Sequence, residues 1–372
     1  MKIIVLPLFR LSSGHHKAAE AVIEHISIVW PDAHIQTVDI LSYCHESLES
    51  VVSKMYMQWI SKKPESYSKF YKSFMYTPDG RRSNQMPLHV WDKYFEFRLA
   101  RLIEKERPDY IICTHSYPSK LLNHLKRQKK VTVPVINVYT DFFVSDVWGK
   151  RSIDYHFVPH LEAKKWLMRF GVPASRIYVT GIPVHPSFAA SHARTKHRSI
   201  LVAGGNSGLG QLEKLLDHLN SRTLSYTYKV LCGHNEKLRS QIELLQNPHI
   251  KALPYMSSRE EMNRYYEEAS AIITKPGGIT VSEVLEKELP VFISGALPGQ
   301  EEFNADYLKK RELIYELTDD IPVEQQITAI IDSDIERGKW KKRLDQYSLE
   351  KEQTLTTTLT AIFGKTSSSV PL

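Results

Sequence analysis

Two places in this chain set reactive or anion-binding groups where a strand gives way to a helix. The first is Ser12-Ser13-Gly14-His15-His16-Lys17, directly after an apolar run and opening a helical one. Imidazole titrates near neutrality, so His15 suits a base that takes the proton of an acceptor hydroxyl. Two aspartates close strand-like runs on the same edge: Asp39, and Asp141 in Tyr139-Thr140-Asp141-Phe142-Phe143. Each also suits a helix N-cap or a turn, as His15 and His16 also suit loop positions that cap a helix. The turn lacks the G-x-G-x-x-G spacing, which argues against a nicotinamide-binding fingerprint.

The second place is Ile272 to Asn304, which reads as strand, glycine turn, helix, strand and polar loop. Gly277, Gly278, Ile279 and Thr280 would present unpaired N–H groups at a helix start, where the helix dipole adds about half a positive charge. That suits a diphosphate. Glu283, one turn in, has the carboxylate to accept two hydrogen bonds from a ribose, and Gln300, Glu301 and Asn304 form a polar cluster beyond the next strand. A further glycine turn, Gly204-Gly205-Asn206-Ser207-Gly208, follows another strand and lets backbone approach a phosphate, although a tight turn needs the same residues. Anion cradle, diol acceptor and polar rim together point to a nucleotide-sugar site.

Strands and helices alternate nearly throughout, the pattern of parallel sheets covered on both faces. Strands are expected at Ile3–Leu8, His34–Val38, Tyr110–Thr114, Val133–Tyr139, Tyr155–Val158 and Ile177–Thr180, then at Ser199–Val202, Tyr228–Cys232 and Ile250–Leu253. The small, polar and basic stretch 189–198 reads as a linker, so the 372 residues divide into two doubly wound domains. A C-terminal helix is expected over 336–363 and a disordered tail over 364–372.

Composition excludes several classes. No apolar run approaches the ~18 residues of a membrane span, and the opening MKIIVLPLFR reads as a strand and not as a targeting segment. Cys44, Cys113 and Cys232 are scattered and odd in number, so they make neither a zinc spacing nor a disulfide framework, and a reducing cytoplasm is expected. Asp332-Ser333-Asp334 has the D-x-D form of metal-dependent sugar transferases, but its polar setting favours a cap, and no metal is expected. Residues 1–186 hold 26 Lys and Arg against 17 Asp and Glu, while the remainder hold 23 against 25. Nucleic acid, an anionic membrane or an anionic acceptor each fit such an excess. Within it, residues 51–98 interleave Tyr56, Trp59, Tyr67, Phe70, Tyr71, Phe74, Tyr76, Trp91, Tyr94, Phe95 and Phe97 with Lys54, Lys62, Lys63, Lys69, Lys72, Arg81 and Arg82. Rings beside cations suit an anionic bilayer surface, while stacking on single strands or a helical pair with buried rings are rival readings.

Taken in order, Gly14-His15, Tyr139-Thr140-Asp141-Phe142, Gly181-Ile182-Pro183-Val184-His185-Pro186, Gly204-Gly205, Cys232-Gly233, Lys275-Pro276-Gly277-Gly278-Ile279-Thr280 with Ser282-Glu283, and Pro298-Gly299-Gln300-Glu301 resemble the monogalactosyldiacylglycerol synthase and processive diacylglycerol glucosyltransferase family. More distantly they are similar to the N-acetylglucosaminyltransferase that makes lipid II. The resemblance implies an α/β GT-B fold: two Rossmann-like domains facing a central cleft, with 1–188 binding acceptor and membrane and 198–335 binding the nucleotide sugar. It implies an inverting transferase that moves a hexose from UDP-glucose or UDP-galactose to a lipid acceptor such as diacylglycerol, without cofactor or metal. Such an enzyme would sit peripherally on the inner face of the cell membrane and have no nucleic-acid partner. By resemblance His15 and Asp39 serve catalysis, Glu283 holds ribose, Gln300 and Glu301 contact the sugar, and backbone around Tyr255 and Met256 holds uracil. A UDP-sugar 2-epimerase and a nucleotide-sugar-binding regulator without transferase activity are the alternatives.

Overall fold

The structure is a computed structural model. It describes residues 1–8, 14–44, 52, 54–55, 58–59, 62–72, 90–189, 198–204, 211–220 and 223–367. The chain divides into two units. Unit 1 takes Met1–Pro186, Pro298–Gln300 and Leu349–Leu372, and unit 2 takes Ser187–Leu297 and Glu301–Ser348. The expected linker over 189–198 falls largely outside the described residues.

Unit 1 is built on six parallel strands: β1 (Lys2–Leu6), β2 (His34–Thr37), β3 (Tyr110–Cys113), β4 (Val135–Val138), β5 (Tyr155–Val158) and β6 (Ile177–Val179). They lie in the order β2-β1-β3-β4-β5-β6. The connecting helices are α1 (Gly14–Val29), α2 (Ile40–Cys44), α3 (Pro64–Phe70), α4 (Val90–Glu106), α5 (Ser116–Arg127) and α6 (Leu161–Arg169). The sequences of β1, KIIVL, and β3, YIIC, are nearly unbroken apolar runs because helices cover both faces of a parallel sheet. Ile4, Leu6, Ile111 and Cys113 face one core and Ile3, Val5, Tyr110 and Ile112 the other.

Unit 2 repeats the plan with β7 (Ser199–Ala203), β8 (Thr227–Leu231), β9 (Ile250–Leu253), β10 (Ala271–Thr274), β11 (Val291–Ile293) and β12 (Ile314–Glu316). The order is β12-β11-β10-β7-β8-β9, again all parallel. Its helices are α7 (Gln211–Asn220), α8 (Glu236–Leu244), α9 (Arg259–Glu268), α10 (Gly278–Glu286), α11 (Gln300–Lys310), α12 (Val323–Ile331) and α13 (Asp334–Leu349).

Two expectations are corrected here. The single helix over 336–363 is two: α13 stops at Leu349, and α14 (Leu355–Ser367) follows a short break. Helix α14 belongs to unit 1, where Leu355, Leu359, Ile362 and Phe363 join the core of Ile3, Val5, Val22 and Ile26. Each such buried side chain contributes ~1.5–3 kcal/mol. The phenol of Tyr110 donates to Ile362 O at 3.2 Å, and the His25 ring bridges Thr356 Oγ1 at 2.7 Å and Val184 O at 3.0 Å. The tail expected to be disordered from 364 is thus helical to Ser367. Second, Gln300, Glu301 and Asn304 lie on α11 and not in a loop. The Glu301 carboxylate reaches back to accept from Leu297 N at 2.6 Å, which caps the helix entrance despite Pro298 and Gly299.

Candidate functional site

Open parallel sheets bind ligands beyond the carboxyl ends of their strands, where the strand order reverses. In unit 1 the reversal falls between β1 and β3, and in unit 2 between β7 and β10. Of the residues singled out by sequence, His15 lies at the first reversal and Gly204 with Gly277, Gly278, Ile279 and Thr280 at the second, whereas Asp39, Asp141, Tyr255, Met256, Gln300, Glu301 and Asn304 follow other strands.

In unit 1, α1 begins after β1 with Gly14 and carries His15 in its first turn. Its neighbour β3 ends in Thr114-His115, and β4 leads into Tyr139-Thr140-Asp141. The Nδ1 atom of His15 lies 3.1 Å from Thr114 O and 3.0 Å from Thr140 Oγ1. A carbonyl oxygen only accepts, so Nδ1 bears the proton and Nε2 the lone pair. Among the described residues none hydrogen-bonds Nε2. Thr114 Oγ1 returns the clip by donating to His15 O at 3.0 Å. Burial lowers the His15 pKa from 6.5, the Asp141 carboxylate and the Thr114 carbonyl raise it, and His16 lowers it slightly. The outcome is an imidazole neutral at physiological pH, with one nitrogen held and the other available to a hydroxyl.

The loop that delivers Thr140 and Asp141 is pinned along its length. Asn137, fully buried in β4, donates to Gly149 O at 2.9 Å, and Gly149 N donates to Ser119 Oγ at 3.0 Å. Asn123 Oδ1 accepts from Lys150 N and Ser152 N, each at 3.1 Å. A Cβ at Gly149 would lie 2.5 Å from Ser119 O, so this crossing admits only glycine. His156 and His160 use both ring nitrogens here. His156 links the Tyr139 phenol to Lys150 O, and His160 links Phe142 O to Ala163 N. They are structural, in contrast to His15.

Asp39 sits at the end of β2 as the entrance to α2, with Oδ1 accepting from Ser42 N at 2.8 Å. Among the described residues, none hydrogen-bonds its buried Oδ2. The groups that hold the His15 ring are Thr114 and Thr140, and the nearby carboxylate acting on it is Asp141.

In unit 2, β10 is followed by the turn that starts α10. Gly277 is the N-cap, with no side-chain cap bond, and a Cβ there would meet nothing within 4 Å. Gly278, Ile279 and Thr280 follow it into the helix, the first two buried, without the usual N-cap side-chain acceptor for their N–H groups. One turn on, Glu283 is buried, and its Oε2 accepts from the Tyr266 phenol at 3.0 Å. Burial, then the Glu283 charge, pushes the Tyr266 pKa well up, so the phenol stays a donor. Across the reversal, Gly204 follows β7 where a Cβ would lie 2.2 Å from Leu212 Cδ1. Gly205, Asn206 and Ser207 lie outside the described residues. Beyond β9, Tyr255 is exposed and stacks on His234 at 4.0 Å and 20°, next to the half-buried Met256. Gln300 and Glu301 are half-buried and Asn304 is buried. Asp332 accepts from the Tyr226 phenol at 2.6 Å and Asp334 pairs with Arg337, so both carboxylates of Asp332-Ser333-Asp334 have structural partners.

The aromatic segment divides. Tyr67, Tyr71 and Phe95 are buried, whereas Trp91, Tyr94 and Phe97 on α4 are 70, 44 and 57% exposed beside exposed Lys93 and Arg101. Tyr56, Phe74, Tyr76, Arg81 and Arg82 lie outside the described residues. Sequence reasoning missed His115, Tyr266 and His234. For His115 the signal was present, since it ends β3 as His15 follows β1.

Two doubly wound parallel sheets, one in each unit, are the architecture of the GT-B fold. The solved structure of Acinetobacter baumannii MurG has this fold, with a TM-score of 0.60 at 14% identity, over 98% of this chain and 100% of that one. Residues 15–184 match the monogalactosyldiacylglycerol (MGDG) synthase family. The chain is 39% identical to the glycosyltransferase YkoN of Bacillus subtilis (strain 168), over 93% of its own length and 92% of that protein. It is 30% identical to the processive diacylglycerol beta-glucosyltransferase of Bacillus cereus (strain G9842), over 82% and 80% respectively. The chain belongs to this family of glycosyltransferases.

Proposed function

We propose that this protein moves a hexose, glucose or galactose, from a UDP-sugar to the hydroxyl of a diacylglycerol-type lipid, with inversion at the anomeric carbon. The observation that carries the proposal is the His15 ring. With Nδ1–H spent on Thr114 O, its Nε2 lone pair is the one poised to take a proton. The acceptor oxygen forms the new bond to the anomeric carbon as the bond to the diphosphate breaks. The hydroxyl proton passes to Nε2, and UDP departs with the electron pair. General-base assistance of this kind contributes ~10²–10⁴-fold. Charge developing on the diphosphate meets the N-terminal N–H groups of α10, already in place before reaction. Glu283, held by Tyr266, accepts from the ribose hydroxyls, and the stack of Tyr255 on His234 offers the uracil a flat face. These donors make a divalent cation unnecessary for leaving-group departure. The named B. cereus relative supports the acceptor class.

The acceptor is a lipid, so the enzyme works at a membrane surface. Among the described residues no helix is long and apolar enough to cross one. Trp91, Tyr94 and Phe97, with Lys93 and Arg101 alongside, supply an aromatic and cationic face for an anionic bilayer. Incubation of the purified protein with radiolabelled UDP-glucose or UDP-galactose over vesicles containing diacylglycerol, with and without EDTA, tests the proposal. Label in a glycolipid, unaffected by EDTA, is expected. Absence of lipid-borne label from both donors overturns it.

A further inference from the structure

We propose that His115 is a positioning residue for His15: its imidazole, anchored as the cap of α5, braces the His15 ring in the orientation that presents Nε2 to the acceptor hydroxyl. The inference rests on the reading of His15 as base and adds a residue to it. Parallel pairing of β1 with β3, in the register Leu6 opposite Cys113, brings the two strand ends side by side. Thr114 then clips His15 twice, through its carbonyl and through its hydroxyl. The next residue, His115, is the N-cap of α5, and its Nδ1 accepts from Tyr117 N at 3.0 Å. That bond fixes the side chain and places the proton of the neutral ring on Nε2. The two rings meet edge to face, with centroids 4.5 Å apart and planes at 83°. The Nδ1–H, shared between Thr114 O and Thr140 Oγ1, holds one edge of His15, and the His115 ring limits rotation of the rest.

Charge favours the same role. The titratable groups acting on His15 are His16 on its own helix, Asp141 from the loop after β4, and His115 from the end of β3. Burial lowers the His115 pKa well below 6.5, and a charged His15 would lower it further. His115 therefore stays neutral while His15 takes up a proton. It walls one side of the base without competing for the proton or repelling it.

The test separates the cap from the ring. Asn is a favoured N-cap, so His115→Asn keeps the acceptor for Tyr117 N and loses the imidazole, whereas His115→Phe keeps a ring and loses the cap. With UDP-glucose or UDP-galactose, whichever the wild type uses, His115→Asn is expected to lower kcat about 10–100-fold, the scale of a misplaced catalytic group. KM for the donor stays unchanged. The acid limb of the pH profile moves up toward 6.5 as water reaches His15. His115→Phe keeps a ring without its anchor and is expected to lose less rate than His115→Asn. The same upward shift is read without turnover by NMR titration of the His15 imidazole. A wild-type rate and limb in His115→Asn overturns the proposal. So does a loss of rate with an unmoved limb and a lowered Tm, which makes His115 structural only. His15→Ala tells the two levels apart. Undiminished transfer there removes the base reading itself, while loss there beside a normal His115→Asn removes only the positioning role.

Discussion

The strand reversals of the two units obey one topological rule and carry opposite chemistry. At β1/β3 the turns bring titratable side chains, His15, His115 and Asp141, into mutual contact or influence. At β7/β10 they bring glycines: Gly204, packed against Leu212, and Gly277, where a Cβ would meet nothing within 4 Å. A proton acceptor needs a side chain whose pKa its surroundings can tune. A diphosphate site needs main chain brought close, with side chains out of the way. The fold supplies the location in both units, and the residues at the turn decide what is done there.

Three substitutions press on this contrast, in descending size of effect. His15→Ala removes the proposed base and is expected to lower kcat ~10²–10⁴-fold with the donor KM unchanged, measured by steady-state transfer. An equal loss in KM would mean that the β1/β3 end also binds donor, which breaks the division. Glu283→Gln should do the reverse. It weakens a charge-assisted contact of about 1.5–3 kcal/mol and raises the donor KM roughly 10–100-fold, with kcat little changed. UDP binding by calorimetry should fall in parallel. Asp141→Asn is the finest probe. The Asp141 charge raises the His15 pKa against burial, so removing it lowers that pKa further. His15 must be neutral to act, and activity falls as pH drops through its pKa. The acid limb of Asp141→Asn should therefore move to lower pH, opposite in sign to His115→Asn. A limb that stays in place would take Asp141 out of the catalytic field.

Much of this was legible in sequence because it is local. Apolar β-branched runs mark the strands, and Gly14-His15 and Pro276-Gly277-Gly278 mark the turns that follow β1 and β10. The remainder depends on contacts between distant parts of the chain. Thr114, whose carbonyl sets the tautomer of His15, and Thr140, whose hydroxyl shares that N–H, lie 99 and 125 positions away, so no short window of sequence shows the arrangement. Tyr266 meets Glu283 only because α9 and α10 flank β10. Helix α11 was hidden by the prolyl-glycyl entrance and its polar surface, and its cap depends on one carboxylate turning back. Exposure on α4 was equally unreadable. Phe95 and Phe97 look alike in sequence, yet one is core and the other solvent-facing.

Helix α14 bears on how the protein is made. The strands of unit 1 are translated before those of unit 2, yet Leu355, Leu359, Ile362 and Phe363, which close its second core, are translated after them. At ordinary translation speeds about 10–35 s separate residue 186 from residue 367. During that interval Val22, Ile26 and Tyr110 wait without their cover. The unit whose sheet is translated before the other's is completed only after it, and its second core stays open in the interval.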